Sequence, residues 1–385
     1  MAALNDVPRL IGELRAKNPN GPTLICVGGL HGNEPAGVLA LQRMFAKLSS
    51  CPDLLRGRFV GLAGNLQALA AGRRFLDDDL NRIWWPKRLE RIRRSTDGLS
   101  RDEMELAELD ARLVEFQQSA TGRLWFVDLH TTSGDGPAFA TFEDTLPNRR
   151  FAKAFPVPHV MGLEEEIVAT LANHLSAEGV TTVGFESGQH DDPGSVDRAE
   201  AAAWIALETC GVLPRGSRRE VAAARKLLGE HNGALPQIVE VRYRHAVRGG
   251  DGFRMRPGLS GFQSVRAGEP IADCDGKPVA APESGLLLMP LYQDQGDDGF
   301  FVIRRVNPLW LSVSAALRRL RLERYLHWFP GVERHPEYPR GFIVDRRRAR
   351  WFALQIFHLL GFQRLGDPGR SMVFLRRSHD FRAGS

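Results

Sequence analysis

Cysteine is scarce in this 385-residue chain: four residues, Cys26, Cys51, Cys210 and Cys274, widely spaced and without a Cys-x-x-Cys pair. That spacing excludes a zinc ribbon and a disulfide framework, so the cysteines read as reduced thiols. No apolar run is long enough to span a bilayer. The charged stretch from Met1 to Asn20 lacks the apolar core of a signal peptide, which makes a cytoplasmic location the default expectation. There is no Gly-x-Ser-x-Gly elbow, which argues against a serine hydrolase of that type. No Gly-Lys-Ser/Thr follows Gly28-Gly29, so this glycine pair is not a phosphate loop. Internal repeats and low-complexity tracts are also missing. The net charge of +5 is mild and owes much to arginines near the C-terminus. No nucleic-acid-binding motif accompanies it.

What is present is a large apolar fraction, 43% of residues, enough for a sizeable core and two or three domains. From about residue 22 to 212, short apolar strands alternate with helical stretches, the pattern of an α/β domain with a mixed, largely parallel sheet. Four strand candidates, Thr23–Val27, Arg58–Leu62, Leu124–Asp128 and Thr182–Phe185, are each followed closely by polar residues: His31 and Glu34, Asn65, His130, and Glu186. Ligands of open α/β sheets bind beyond the carboxyl ends of the strands, so these four ends are expected to converge. From Pro236 to Val306, turn residues punctuate short β-forming runs, which predicts a small β barrel or sandwich. Its resemblance to a biotinyl/lipoyl-type fold lacks the carrier lysine, so it reads as a structural module. The remainder is Arg- and aromatic-rich and reads as a helix followed by strand, helix and strand: Gly341–Val344, Arg348–Leu360 and Met372–Leu375. The apolar face Trp310, Val313, Leu317 and Leu320 is expected to pack on the rest of the protein, with a membrane-surface or partner-docking helix as the alternative. The expected domains are 1–215, 236–306 and a C-terminal α+β extension over 307–385.

His31-Gly32-Asn33-Glu34 directly follows the apolar run Thr23 to Gly29, and Pro35 opens an apolar-periodic helix. An imidazole and a carboxylate three residues apart at a strand–helix junction can close on one metal ion. Catalytic zinc sites often use two His and one Glu, leaving a position for water. His130, at the end of a buried strand, is the candidate third ligand. Asp128 lies two residues earlier on the same strand face and is placed to orient that imidazole. In the segment from Arg74 to Arg82, the contiguous run Asp77-Asp78-Asp79 lacks the alternation of a calcium loop. Arg74, Asn81 and Arg82 could clamp a carboxylate and stabilise an oxyanion; the alternative is a solvated surface turn. Glu186, directly after a buried strand, is costly to desolvate without a role, and beside a metal it is the natural general base. His190 is either a fourth ligand or part of the turn before the next helix.

The order His-x-x-Glu, Arg-x4-Asp-Leu-Asn-Arg, Asp-Leu-His and a strand ending in Glu resembles the succinylglutamate desuccinylase/aspartoacylase family of zinc-carboxypeptidase-like hydrolases. The resemblance covers roughly residues 22 to 305. It implies one Zn2+ per chain on His31, Glu34 and His130, with Glu186 as the base. It also implies that Arg74 polarises the scissile carbonyl, that Asn81 and Arg82 hold a substrate carboxylate, and that Tyr292 reaches in from the β domain. One departure stands out. The second carboxylate-binding arginine that aspartoacylases carry ten residues before the base is replaced here by Ser176. N-acyl dicarboxylic amino acids are therefore expected to be poor substrates, and compounds with a neutral or basic side chain better ones. The segment after about residue 306 lies outside the resemblance.

The expected function is a cytoplasmic zinc amidohydrolase that deacylates an N-acyl amino acid or similar small molecule. No nucleic-acid partner or transmembrane segment is expected, and self-association is left open. Two rivals are a metallocarboxypeptidase acting on short peptides and a non-catalytic metal-binding interaction protein.

Overall fold

The computed structural model describes residues 4–17, 20–50, 52–336, 338, 340–345, 356–357, 359–365 and 371–377. Fourteen strands build the body: β1 (Leu10–Arg15), β2 (Thr23–Gly28), β3 (Arg58–Ala63), β4 (Leu124–Thr132), β5 (Phe139–Thr141), β6 (His159–Met161), β7 (Thr181–Gln189), β8 (Ile238–Ala246), β9 (Arg254–Met255), β10 (Ser264–Val265), β11 (Pro270–Cys274), β12 (Lys277–Ala280), β13 (Gly285–Leu288) and β14 (Asp298–Arg305). Eleven of them form one sheet in the order β1-β3-β2-β4-β7-β5-β6-β8-β14-β13-β10. The run β3-β2-β4-β7 is parallel.

The parallel strands are buried almost throughout because both of their faces are covered. Leu24, Cys26, Phe59 and Val127 face one way, into a cluster with the helices Ala36–Leu48, Gly194–Thr209 and Arg219–Asn232. Ile25, Val60, Leu62 and Phe126 alternate to the other face, against the helices Pro86–Arg94, Arg101–Ser119 and Leu171–Ala177. This α/β layering is the expected one. None of the described helices is long and apolar enough to cross a membrane.

The β region does not break away from this sheet. Strand β8 continues it beside β6, and β14, β13 and β10 extend it with antiparallel pairing. Across this extension the small sheet β12-β11-β9 packs Met255 and Ile271 against Val265, Leu287, Phe300 and Val302, giving a two-layered sandwich.

After β14 come the helix Pro308–Arg319 and the strands β15 (Val332–Arg334), β16 (Gly341–Asp345), β17 (Phe362–Leu365) and β18 (Ser371–Arg376). These four form a separate antiparallel sheet in the order β15-β16-β18-β17. The greater part of the expected helix Arg348–Leu360 lies outside the described residues, as does Cys51.

Of the apolar face expected to pack, Leu317 does so, half-buried against the core of the C-terminal unit, while Trp310, Val313 and Leu320 do not. Trp310 and Leu320 stay 57% and 64% exposed, whereas Leu311, Ser314 and Arg318 are buried. A charge cluster sets this rotation. The Arg318 guanidinium donates from Nη1 to the Asp144 carbonyl and from Nη2 to Asp144 Oδ2, at 2.7 Å each. Asp144 also receives Arg149, and Arg377 Nη1 at 3.3 Å. These contacts fasten the C-terminal unit to the α/β body at Arg318 and again at Arg377.

Removing one partner from a buried ion cluster typically costs about 3–5 kcal/mol, because the remaining charges are stranded. Asp144→Ala is therefore expected to lower the urea midpoint by that equivalent and to open the segment after residue 307 to proteolysis. An unchanged midpoint would show that the cluster contributes nothing net.

Candidate metal centre

Close backbone contact creates the site. A Cβ on Gly28 would lie 2.5 Å from the carbonyl carbon of Gly37, and one on Gly37 would lie 2.8 Å from Leu129 Cβ. Two glycines thus let the start of the Ala36–Leu48 helix press onto β2 and β4, which draws the His31–Glu34 turn against the end of β4. Glu34 N donates to the His31 carbonyl at 3.1 Å and tightens that turn. His130 on β4 and Glu186 on β7 are register partners in adjacent parallel strands. Of the four strand ends expected to converge, three meet here. Asn65 does not: its side chain caps the helix Leu66–Ala71 by accepting from Ala68 N at 3.0 Å.

Glu34 is the hub. Its Oε1 is 2.7 Å from His31 Nδ1, and its Oε2 is 2.9 Å from His130 Nδ1 and accepts from Thr131 N at 3.0 Å. The outer nitrogens are also engaged. His31 Nε2 is 3.1 Å from Asp79 Oδ1, and His130 Nε2 is 2.9 Å from Asp128 Oδ2. Burial alone would raise the Glu34 pKa, but His31 and His130 outweigh it and hold the carboxyl well below the usual range. Burial likewise disfavours charge on His130, yet Asp128 and Glu34 raise its pKa well above the histidine norm.

Asp79 belongs to the acidic run that sequence reasoning set aside in favour of its neighbours. Its side chain is only 9% exposed, and besides its contact with His31 it accepts from Arg74 through Nε at 3.1 Å and Nη2 at 3.0 Å. Asp102 shapes the loop that carries both residues. It is fully buried at the start of the Arg101–Ser119 helix and accepts from the backbone N–H groups of Leu76, Asp77 and Asp78 at 3.2, 2.6 and 3.0 Å. The contiguous aspartates thus have different partners: Asp77 accepts from Arg101 N at 3.0 Å at the start of that helix, Asp78 from Arg88 Nη2 at 2.9 Å, and Asp79 lies against the His31 imidazole.

The remaining candidates separate. Arg74 lines the cleft and also reaches Glu34 Oε1 from Nη1 at 3.4 Å. Arg82 lines it too, with Nη2 on Asp298 Oδ2 at 2.8 Å. Asn81 is committed at both ends: Oδ1 accepts from Leu171 N at 2.9 Å, and Nδ2 is 3.3 Å from His130 Nε2. Tyr292 is the exception to the predicted site. Backbone alternation sends Leu291 and Gln293 into the cleft, while the Tyr292 hydroxyl donates to the Arg256 carbonyl and accepts from Leu259 N at 3.1 Å. Gln293 is the side chain that arrives instead, 3.1 Å from His190 Nε2. His190 Nδ1 is 2.7 Å from Thr131 Oγ1, so both of its nitrogens have partners within the cleft wall. Ser176 is buried on another helix, where its hydroxyl accepts from Asn148 Nδ2 at 3.2 Å, and it is absent from the cleft lining.

The donor set fits a divalent cation. One atom each of His31, Glu34 and His130 lies within 4.8 Å of the others. Each imidazole turns one nitrogen toward Glu34 and the other toward an aspartate, which is the outer support that metal-binding histidines usually have. Asp128 Oδ1 and Glu186 Oε2 are buried without hydrogen-bond partners. Burial pushes the Glu186 carboxyl up to about 8, with Glu34 and Asp128 adding to the rise against His130 and Arg74. A local excess of carboxylate in a desolvated site is the condition a cation relieves.

Residues 20–205 match the family model described as the succinylglutamate desuccinylase/aspartoacylase catalytic domain. The succinylglutamate desuccinylase of Photorhabdus laumondii is 32% identical over 113 residues, 28% of this chain and 33% of that protein. The aligned stretch thus spans about a third of the relative's length. Among solved structures, the succinylglutamate desuccinylase/aspartoacylase from Rhodobacter sphaeroides superposes with a TM-score of 0.53 at 20% identity, covering 77% of this chain and 88% of that one. The product-bound ectoine utilization protein EutE (DoeB) from Ruegeria pomeroyi superposes with a TM-score of 0.54 at 22% identity, covering 74% and 86%. At these identities the two structures speak for the fold.

The geometry predicts the order of metal loss. His31→Ala and His130→Ala are expected to purify without stoichiometric metal. Asp79→Asn and Asp128→Asn should retain it with about 10- to 100-fold weaker affinity, the usual consequence of removing an outer support. Elemental analysis and competition with a chelator read both; full occupancy in either alanine variant would overturn the ligand assignment.

Proposed function

We propose that this chain, which belongs through its residues 20–205 to the succinylglutamate desuccinylase/aspartoacylase family, is a zinc-dependent amidohydrolase that deacylates an N-acyl amino acid or a similar small molecule. One observation carries the reading: two carboxylate-backed histidines share Glu34, on strand ends beside a buried, unpartnered Glu186 oxygen. A two-His, one-Glu donor set favours Zn2+ among the common divalent ions, with one ion per chain. The three free thiols among the described residues, Cys26, Cys210 and Cys274, suit a reducing compartment such as the cytoplasm.

In this reading residues 1–215 form the catalytic unit and residues 236–306 wall the cleft, with Met289, Leu291, Gln293 and Asp298 in its lining. The space it leaves for a ligand is about 120 Å3, small beside the roughly 300–1,000 Å3 of sites that take drug-sized molecules. That wall and volume favour a small N-acyl compound over a peptide. Arg318 and Arg377, from the described part of the unit 307–385, buttress the catalytic unit through Asp144.

Bound zinc supplies Lewis-acid chemistry, acidifying water and polarising a carbonyl. Glu186 takes the proton of the attacking water on its free oxygen and returns it to the leaving amine nitrogen. Its carboxyl, high when no cation is near, falls toward the range of a working base once positive charge is fixed beside it. Arg74, held in orientation by Asp79, stabilises negative charge developing on the carbonyl oxygen. Arg82, anchored on Asp298, receives the substrate carboxylate, and Asn81 holds His130 and the adjoining helix in place.

Glu186→Gln is nearly isosteric and cannot accept the proton. It is expected to keep its metal content and melting temperature while kcat for N-acyl amino acids falls by about 10²- to 10⁴-fold. Wild-type turnover in this variant would move the base to another group, His190 first.

A further inference from the structure

The cleft has a second polar region that this chemistry leaves unused. Glu164, on the short helix Leu163–Glu166, lines it together with Phe142, Leu163, Ile167 and Asn173. Its side chain is only 6% exposed. One oxygen is satisfied: Oε1 accepts from Arg377 Nη2 at 2.9 Å and from Asp144 N at 3.3 Å. The other, Oε2, is buried and has no hydrogen-bond partner. A buried carboxylate oxygen without a donor is costly, and a cationic group relieves that cost best.

Nearby arginines do not do so. Arg377, 2% exposed, spends Nη1 on Asp144 and Nη2 on Glu164 Oε1 and Glu165. It lies behind Glu164 and is absent from the cleft lining, so it adds no second clamp for an anionic substrate. Arg74 and Arg82, the arginines that line the cleft among the described residues, are already held by Asp79 and Asp298. The cleft is therefore bipolar: guanidinium groups by the zinc donors, an unpaired carboxylate oxygen elsewhere in the wall, and apolar Phe142, Leu163 and Ile167 also in the lining. Burial, with Glu165 and Asp144 adding to it, pushes the Glu164 carboxyl up to about 8 despite Arg377, which marks how poorly the empty cleft solvates its charge.

We infer that Glu164 is a cation subsite whose free oxygen receives an ammonium group at the end of an alkyl side chain, so that the preferred substrates are N-acyl derivatives of basic amino acids. The apolar lining suits the methylene stem, and Arg82 takes the α-carboxylate. This inference rests on the amidohydrolase reading for the acyl group and on Glu164 alone for the cation.

The test compares Nα-acetylornithine with Nα-acetylnorvaline, which has the same three-carbon stem without the ammonium, using full-length zinc-loaded protein. A charge-assisted hydrogen bond predicts that the ornithine derivative has about tenfold or greater advantage in kcat/KM. Glu164→Gln, which keeps an acceptor for Arg377, should bring the ratio close to one while Nα-acetylnorvaline stays within about threefold of wild type. A wild-type ratio at or below one, or a ratio unchanged in Glu164→Gln, overturns the subsite. If that variant does not fold, Glu164→Asp withdraws the charge by one methylene and should lower the ratio; no change again overturns it. If neither amide is hydrolysed, the amidohydrolase reading fails, and calorimetry with free ornithine and norvaline decides the subsite separately. Tighter ornithine binding that is lost in the variant sustains it, and equal affinities overturn it.

Discussion

A single carboxylate, Glu34, is shared by two imidazoles at 2.7 and 2.9 Å, and the surrounding architecture follows from keeping it there. A buried carboxylate needs donors on every lone pair it can offer. Glu34 obtains them from His31 in its own turn, from the end of β4 through His130 and Thr131 N, and from Arg74 in a distant loop. Three segments far apart in sequence are thereby locked to one side chain. The tight Gly28–Gly37 contact is what allows the helix after β2 to bring the carboxylate within reach of β4.

Charge balance carries this constraint outward. Each histidine passes one nitrogen to an aspartate, and each aspartate is itself placed by something further out. Asp79 sits on a loop whose amides point at Asp102, and Asp128 lies two residues from His130 on the same strand. Glu186 breaks the pattern, with one buried oxygen and no partner. Asp128 Oδ1 is likewise unpartnered, but that side chain is tied to His130 through Oδ2; the proton transfer proposed for Glu186 uses its free oxygen.

The C-terminal unit shows the same logic in a different place. Its helix turns its aromatic face outward and buries Arg318, because a guanidinium that can reach Asp144 through both Nη groups outweighs the burial of Trp310 or Leu320. Arg377 then ties the end of the described chain to Glu164, so an element outside the family match touches the wall of the cleft from behind. Substrate preference and the packing of this added unit are mechanically joined at that residue.

The layered α/β body, the β-rich region and the meeting of His31, Glu34 and His130 were legible in the sequence because each depends on local pattern: apolar runs ended by polar residues, turn residues at short intervals, a His and a Glu three apart beside a helix start. Asp128 was legible because strand periodicity alone places it with His130. Asp79 was not, since three adjacent aspartates look alike until the fold assigns one to an arginine on the helix side, one to a helix start and one to an imidazole. Tyr292 was misplaced for a related reason: a strand-like segment shows one face or the other to the cleft according to a register that only pairing fixes, and here Gln293 faces inward. The outward Trp310 face, the commitment of Asn81 to Leu171 and His130, and the free oxygen of Glu164 all depend on contacts between residues tens to hundreds of positions apart. Sequence determined which chemical groups this protein has and roughly where each strand delivers them; tertiary structure decided which of those groups are satisfied by one another and which are left open for a ligand, because hydrogen-bond partners across such distances exist only once the chain has closed.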